Sequence, residues 1–106
     1  MAKYLVTASY TAEGAKGLLK DGGTKRRQAA EQAIKSAGGK LEAFYFAFGE
    51  SDAFVIIEAP DHATVAAASM VINASGAVRT KTVVLLTPEE IDQATKKGTT
   101  YQAPGH

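Results

Sequence analysis

The stretch from Lys40 to Ala59 restricts this chain more than any other. It reads Lys-Leu-Glu-Ala-Phe-Tyr-Phe-Ala-Phe, turns through Gly49-Glu50-Ser51, and continues Asp-Ala-Phe-Val-Ile-Ile-Glu-Ala. Side chains of an extended strand alternate between its two faces. On strict alternation Phe44, Phe46 and Phe48 share one face, and Leu41, Ala43, Tyr45 and Ala47 share the other. Neither face is polar, and Phe54-Val55-Ile56-Ile57 repeats that character. A strand apolar on both sides needs cover on both sides. So short a turn joins the two strands as an antiparallel hairpin. The expectation is a hairpin inside a sheet, with helices on one face and something else on the other.

The flanking sequence supplies the helices. Lys3 to Tyr10 has strand propensity, with Tyr4, Val6, Ala8 and Tyr10 on one side. Thr11 is placed to cap a short helix that Asp21-Gly22-Gly23 ends, and Thr24 to cap a second that runs to about Ala37. Gly38-Gly39 stops that helix. Pro60 ends the third strand, and Asp61 caps a helix to about Ala74. Val78 to Leu86 forms the last strand. Thr87-Pro88-Glu89-Glu90 then opens a short C-terminal helix to about Lys97. The order strand, helix, strand, strand, helix, strand is the split βαβ pattern. The reading is an α+β, ferredoxin-like βαββαβ domain over residues 1–97, with a four-stranded antiparallel sheet and both long helices on one face. Residues 98–106 form a flexible C-terminal tail.

Composition removes several classes. The 106 residues carry a formal charge of +1, which does not supply the basic stripe that gives nucleic-acid binders their affinity. The cluster Lys25-Arg26-Arg27 reads as a solvated helix face. With no cysteine, disulfides, thiolate nucleophiles and cysteine-ligated metals are excluded. His62 and His106 are isolated, so no metal site is expected, and no cofactor fingerprint occurs. No apolar run reaches the ~20 residues of a membrane span, and Met1 to Thr7 lacks the pattern of a signal peptide. The expectation is a cytoplasmic protein without nucleic-acid or membrane partners.

A sheet apolar on both faces leaves a patch that soluble monomers rarely expose. The simplest cover is a second copy, sheet against sheet, about a two-fold axis. The expected partner is therefore a second copy, giving a dimer or larger homo-oligomer, with a hydrophobic small molecule or a different partner protein as the alternative cover.

Several blocks in order resemble the GYD-domain family, small bacterial proteins mostly of unassigned function. They are Tyr10-Thr11-Ala12-Glu13-Gly14, Ala37-Gly38-Gly39-Lys40, Phe44-Tyr45, Gly49-Glu50-Ser51-Asp52-Ala53-Phe54, Ile57-Glu58-Ala59-Pro60-Asp61 and Val78-Arg79-Thr80. The resemblance runs to about Ile91 and implies a dimeric α+β barrel. It implies no established chemistry. The family's naming motif has tyrosine just before the aspartate, where this chain has Ser51.

Five residues are candidates for a site. Asp52 follows the hairpin turn; its ordinary role is to bond turn amides, and its functional alternative is a general base or ligand anchor. Tyr45, expected on a covered face, and Tyr4 are either core residues with a satisfied hydroxyl or ligand contacts. Arg79 and Lys81 share a face of the last strand, as surface charge or as a clamp for an anion, which Arg holds bidentately. Three functions follow: an oligomeric small-molecule-binding or regulatory module, a cofactor-free isomerase, cyclase or oxygenase acting on a hydrophobic or aromatic compound, and an assembly protein whose tail, Thr99 to His106, reaches a neighbour.

Overall fold

A computed structural model describes all 106 residues. The elements are β1 (Ala2–Tyr10), α1 (Ala12–Asp21), α2 (Gly23–Ser36), β2 (Lys40–Phe46), β3 (Ala53–Ala59), α3 (His62–Ala74), β4 (Val78–Leu85) and α4 (Pro88–Thr95). The four strands form one antiparallel sheet in the order β2-β3-β1-β4. That order is consistent with the ferredoxin-like fold expected from the sequence. No helix is long and apolar enough to cross a membrane.

Three of the expected caps hold. The hydroxyl of Thr11 accepts from the Gly14 N–H, and the Asp61 carboxylate from the Thr64 N–H. Thr87 and Glu90 form a reciprocal capping box at α4. Hydrogen bonding from the Thr64 hydroxyl and backbone N–H holds the Asp61 carboxyl below its ordinary range. Thr24 does not cap α2. Gly22, at φ 82°, both closes α1 and opens α2, and no side chain caps the new helix. The sharp corner needs the left-handed backbone that glycine adopts without strain.

The helices cover one face. There Tyr4, Ile34, Leu41, Val55, Ile57, Ala59 and Val65 form the main core, and Ala8, Ala53 and Val78 a second cluster. A large side chain fully buried in this way contributes roughly 1.5–3 kcal/mol. Tyr4 is the most buried large side chain, at 2% exposure, and its hydroxyl lies 2.5 Å from His62 Nδ1 at the start of α3.

Strict alternation fails in β2. Leu41 pairs with Ile57 and Ala43 with Ile56, so Glu42 is the extra residue of a bulge. The bulge turns Leu41 to the helix side with Phe44, and not to the face of Ala43 and Tyr45 as alternation predicts. Glu42 reaches Lys3 across the sheet at 2.6 Å, and this hydrogen bond raises the Lys3 pKa. Phe48 also departs from expectation: β2 stops at Phe46, and Phe48 stands fully exposed in the turn.

The opposite face of the sheet is open. Pairing aligns Ala43, Ile56, Leu5 and Val83 in one apolar row across all four strands. Phe54 and Tyr45 lie beside the row, 41% and 72% exposed. Tyr45 was expected on a covered face; within the single chain it faces solvent. Only 10 of 106 residues are buried, so the helix-side core is small for the chain. The radius of gyration is 16.9 Å, against about 13 Å for a compact chain of this length. The excess comes from the C-terminal end: α4 has no buried residue, every residue from Glu89 to His106 is exposed, and the longest dimension is 56 Å.

Candidate functional site

The turn between β2 and β3 is tied to the end of β1. The Asp52 N–H donates to the Ala8 carbonyl, and the Asp52 carbonyl accepts from the Ala47 N–H, each at 2.8 Å. Asp52 Oδ2 accepts from the Tyr10 N–H at 2.8 Å. The carboxylate therefore bonds the last amide of the neighbouring strand, and not the turn amides that the local sequence suggests. Its other oxygen, Oδ1, makes no hydrogen bond within the chain.

Beside Asp52 lies a hollow of about 360 Å³, lined by Leu18, Gly23, Phe46, Ala47 and Phe48 as well as the carboxylate. Each wall has a local cause. Phe46 lies on the helix side opposite Ala53. The Gly22 corner brings the start of α2 down onto its ring: a Cβ on Gly23 would stand 3.0 Å from it. Phe48 closes the turn side, and Leu18 comes from the last turns of α1. The hollow opens at the sheet end between hairpin and helices. It offers an apolar surface with one hydrogen-bond acceptor, the composition of many small-molecule sites.

The other candidates are dispersed. Tyr4 belongs to the core, and its hydroxyl is engaged by His62. Tyr45 stands on the open face. Arg79 and Lys81 face a separate polar recess on that same open side. Asp52 alone of the five lines the apolar hollow. The residues not singled out as site candidates from sequence are Leu18, Gly23, Phe46, Ala47 and Phe48. Gly22-Gly23 is the one sequence signal for the corner, and a glycine pair does not reveal which ring it lies against.

Fold and hollow together define a small ferredoxin-like α+β domain with an open sheet face and an apolar hollow at the hairpin end. Residues 4–95 match the GYD domain, and the chain belongs to that family. No curated protein matches the chain.

Proposed function

We propose that the protein is a homo-oligomeric small-molecule-binding module. Two copies pack through their open sheet faces, and each hollow beside Asp52 takes an apolar ligand carrying one hydroxyl or amine. The observation that carries the ligand is the unpaired Asp52 Oδ1 in a hollow otherwise lined by Phe46, Phe48, Leu18, Ala47 and Gly23. Asp52 is half-buried in the free chain. A ligand that closes the hollow buries Oδ1, and an acceptor buried without a partner costs about 1–3 kcal/mol, so such a ligand has to bring a donor. The apolar row from Ala43 to Val83 supports the packing of copies.

A cofactor-free enzyme acting on the same ligand needs more than one reacting group. Asp52 is the single titratable residue of the hollow, and no acid or nucleophile stands beside it there. Binding is therefore the better reading. Native mass spectrometry of protein freshly purified from cells is the test. A dimer or larger species carrying a retained mass, lost in Asp52→Asn at unchanged fold, supports the proposal. A bare monomer defeats it.

The third function has an observation of its own. Ile91 and Tyr101 are 47% and 76% exposed on an arm that buries nothing in its own domain. An arm of that kind fits a role in joining subunits. Deleting residues 87–106 should then lower the oligomer size without shifting the unfolding midpoint. An unchanged size removes this role.

A further inference from the structure

On the open face, β1 and β4 place Ser9 opposite Arg79 and Thr7 opposite Lys81. Directly opposed residues of an antiparallel pair lie about 4.5–5.5 Å apart, and successive residues on one face about 6.5–7 Å apart. Two cations and two hydroxyls therefore frame a patch the size of one oxyanion group. The patch floors a recess of about 480 Å³ that Glu50, the one carboxylate among its lining residues, and Ser51 close from the hairpin turn and that Asn73 and Thr80 border at the β4 edge; no apolar residue lines it.

The hydrogen-bond pattern leaves this recess rich in donors. The Ser9 hydroxyl donates to the Glu50 carbonyl at 3.2 Å, so its hydrogen is already used. Thr7 and Ser51 have no such engagement. The ion pairs of the chain are Lys3 with Glu42 and Glu58, Lys25 with Asp21, and Arg27 with Glu31. Arg79 and Lys81 belong to none of them. They are like charges on adjacent same-face positions of one strand, an arrangement that is unfavourable by itself. On the outer edge of β4 the Asn73 side chain bonds the Thr80 N–H at 3.0 Å and the Thr80 hydroxyl at 2.8 Å, which fixes the strand carrying both cations. Ser51 is short, so the turn does not fill the space above them.

We propose that this recess binds the oxyanion group, phosphate or carboxylate, of a small molecule. Arg79 takes two of its oxygens, Lys81 supplies a point charge, and the Thr7 and Ser51 hydroxyls donate to it. The recess and the Asp52 hollow share no lining residue: the first is built on the open-face positions of β1 and β4, the second on the helix side of β2. Losing the ligand of the Asp52 hollow therefore leaves the recess intact, and the reverse, whereas the recess shares its face with the proposed sheet packing, which the oligomeric state reads separately.

The test is an amide NMR titration of the full chain with inorganic phosphate at low ionic strength, with a parallel titration in acetate. Saturable shifts at Thr7, Ser9, Ser51, Arg79 and Lys81 are expected with at least one of the two anions, and the tighter one identifies the ligand's group. Arg79→Gln should weaken binding at least about tenfold, as expected for lost charge-assisted hydrogen bonds. Lys81→Gln should weaken it too, and Ser51→Tyr should abolish it by filling the recess. Lys25→Gln, on the solvated helix face, should change nothing. Shifts that fail to saturate with both anions, that centre on Lys25 to Arg27, or that survive Arg79→Gln unchanged overturn the proposal. The amide spectrum of each variant reports its fold directly.

Discussion

Val83 lies in the apolar row of the open face and is 54% exposed in the single chain. If a second copy covers that face, Val83→Glu separates assembly from folding. Full burial of a valine contributes roughly 1.5–3 kcal/mol, so covering its exposed half contributes about 1 kcal/mol per copy, and two-fold symmetry doubles this. A carboxylate in the same place adds an unpaired polar group to the interface, at about 1–3 kcal/mol per copy. Together these weaken dimerisation by about 4–8 kcal/mol, or roughly a thousandfold or more in Kd. The folded single chain should change by only about 0.5 kcal/mol, the usual scale for a surface substitution. Lys81 stands two residues along on the same face and can pair with the new carboxylate, so Val83→Lys serves as the second variant, with no such rescue. Sedimentation equilibrium reads the assembly, and urea unfolding at a concentration where the wild type is monomeric reads the fold. The expected result is loss of the oligomer in both variants with unchanged midpoints. A dissociation constant that both variants leave as in the wild type refutes the packing argument.

Other outcomes follow from single contacts. Gly14 and Gly17 sit in the same helix, yet a Cβ at Gly14 runs into the Ala77 carbonyl, whereas none of the protein comes within 4 Å of one at Gly17. Gly17→Ala should stabilise by about 0.5–1 kcal/mol. Gly14→Ala should destabilise by about 1–2 kcal/mol once overpacking offsets the helix gain; urea midpoints moving the same way in both refute the assigned contact. Tyr4→Phe removes the bond to His62 from a residue 2% exposed. It should cost about 1 kcal/mol and several degrees of Tm, and an unchanged Tm would show that the bond contributes nothing. Asp61 has a depressed pKa in the folded chain, from the Thr64 hydrogen bonds. Its contribution is therefore complete above the unfolded value of about 3.9 and is lost as pH falls through the folded value. In acid the stability advantage of wild type over Asp61→Ala should shrink, and an advantage constant down to the lowest pH would count against that assignment.

The fold was legible because its signals are local and agree with one another. Thr11, Asp61 and Thr87 each combine a capping side chain with a following helical pattern, and all three cap helices. What was not legible depends on partners distant in sequence. The bulge at Glu42 exists because Leu41 and Phe44 both pack against the helices over Ile57 and Val55. Alternation alone assigns those two residues to opposite faces. Thr24 has the side chain of a cap, but the Gly22 corner starts the helix two residues sooner.

The candidate residues separate along the same line. Each side chain was chemically plausible by itself, and the long-range register decides which of them meet. Because β1 lies between β3 and β4, the turn carrying Asp52 arrives over the end of β1, and Tyr10 takes one carboxylate oxygen. The same register turns Arg79 and Lys81 to the open face opposite Ser9 and Thr7, away from Asp52. Tyr4, two positions from Val6 on the helix side, is drawn into the core. Five candidates thus resolve into a core residue, an exposed aromatic, a cation pair and one carboxylate at an apolar hollow. The sheet divides them, so a ligand in the Asp52 hollow and an anion at Arg79 and Lys81 act on opposite faces of the same hairpin turn. Mutating Asp52 should therefore leave anion binding intact, while Ser51, its neighbour, is the residue through which the turn closes the other recess.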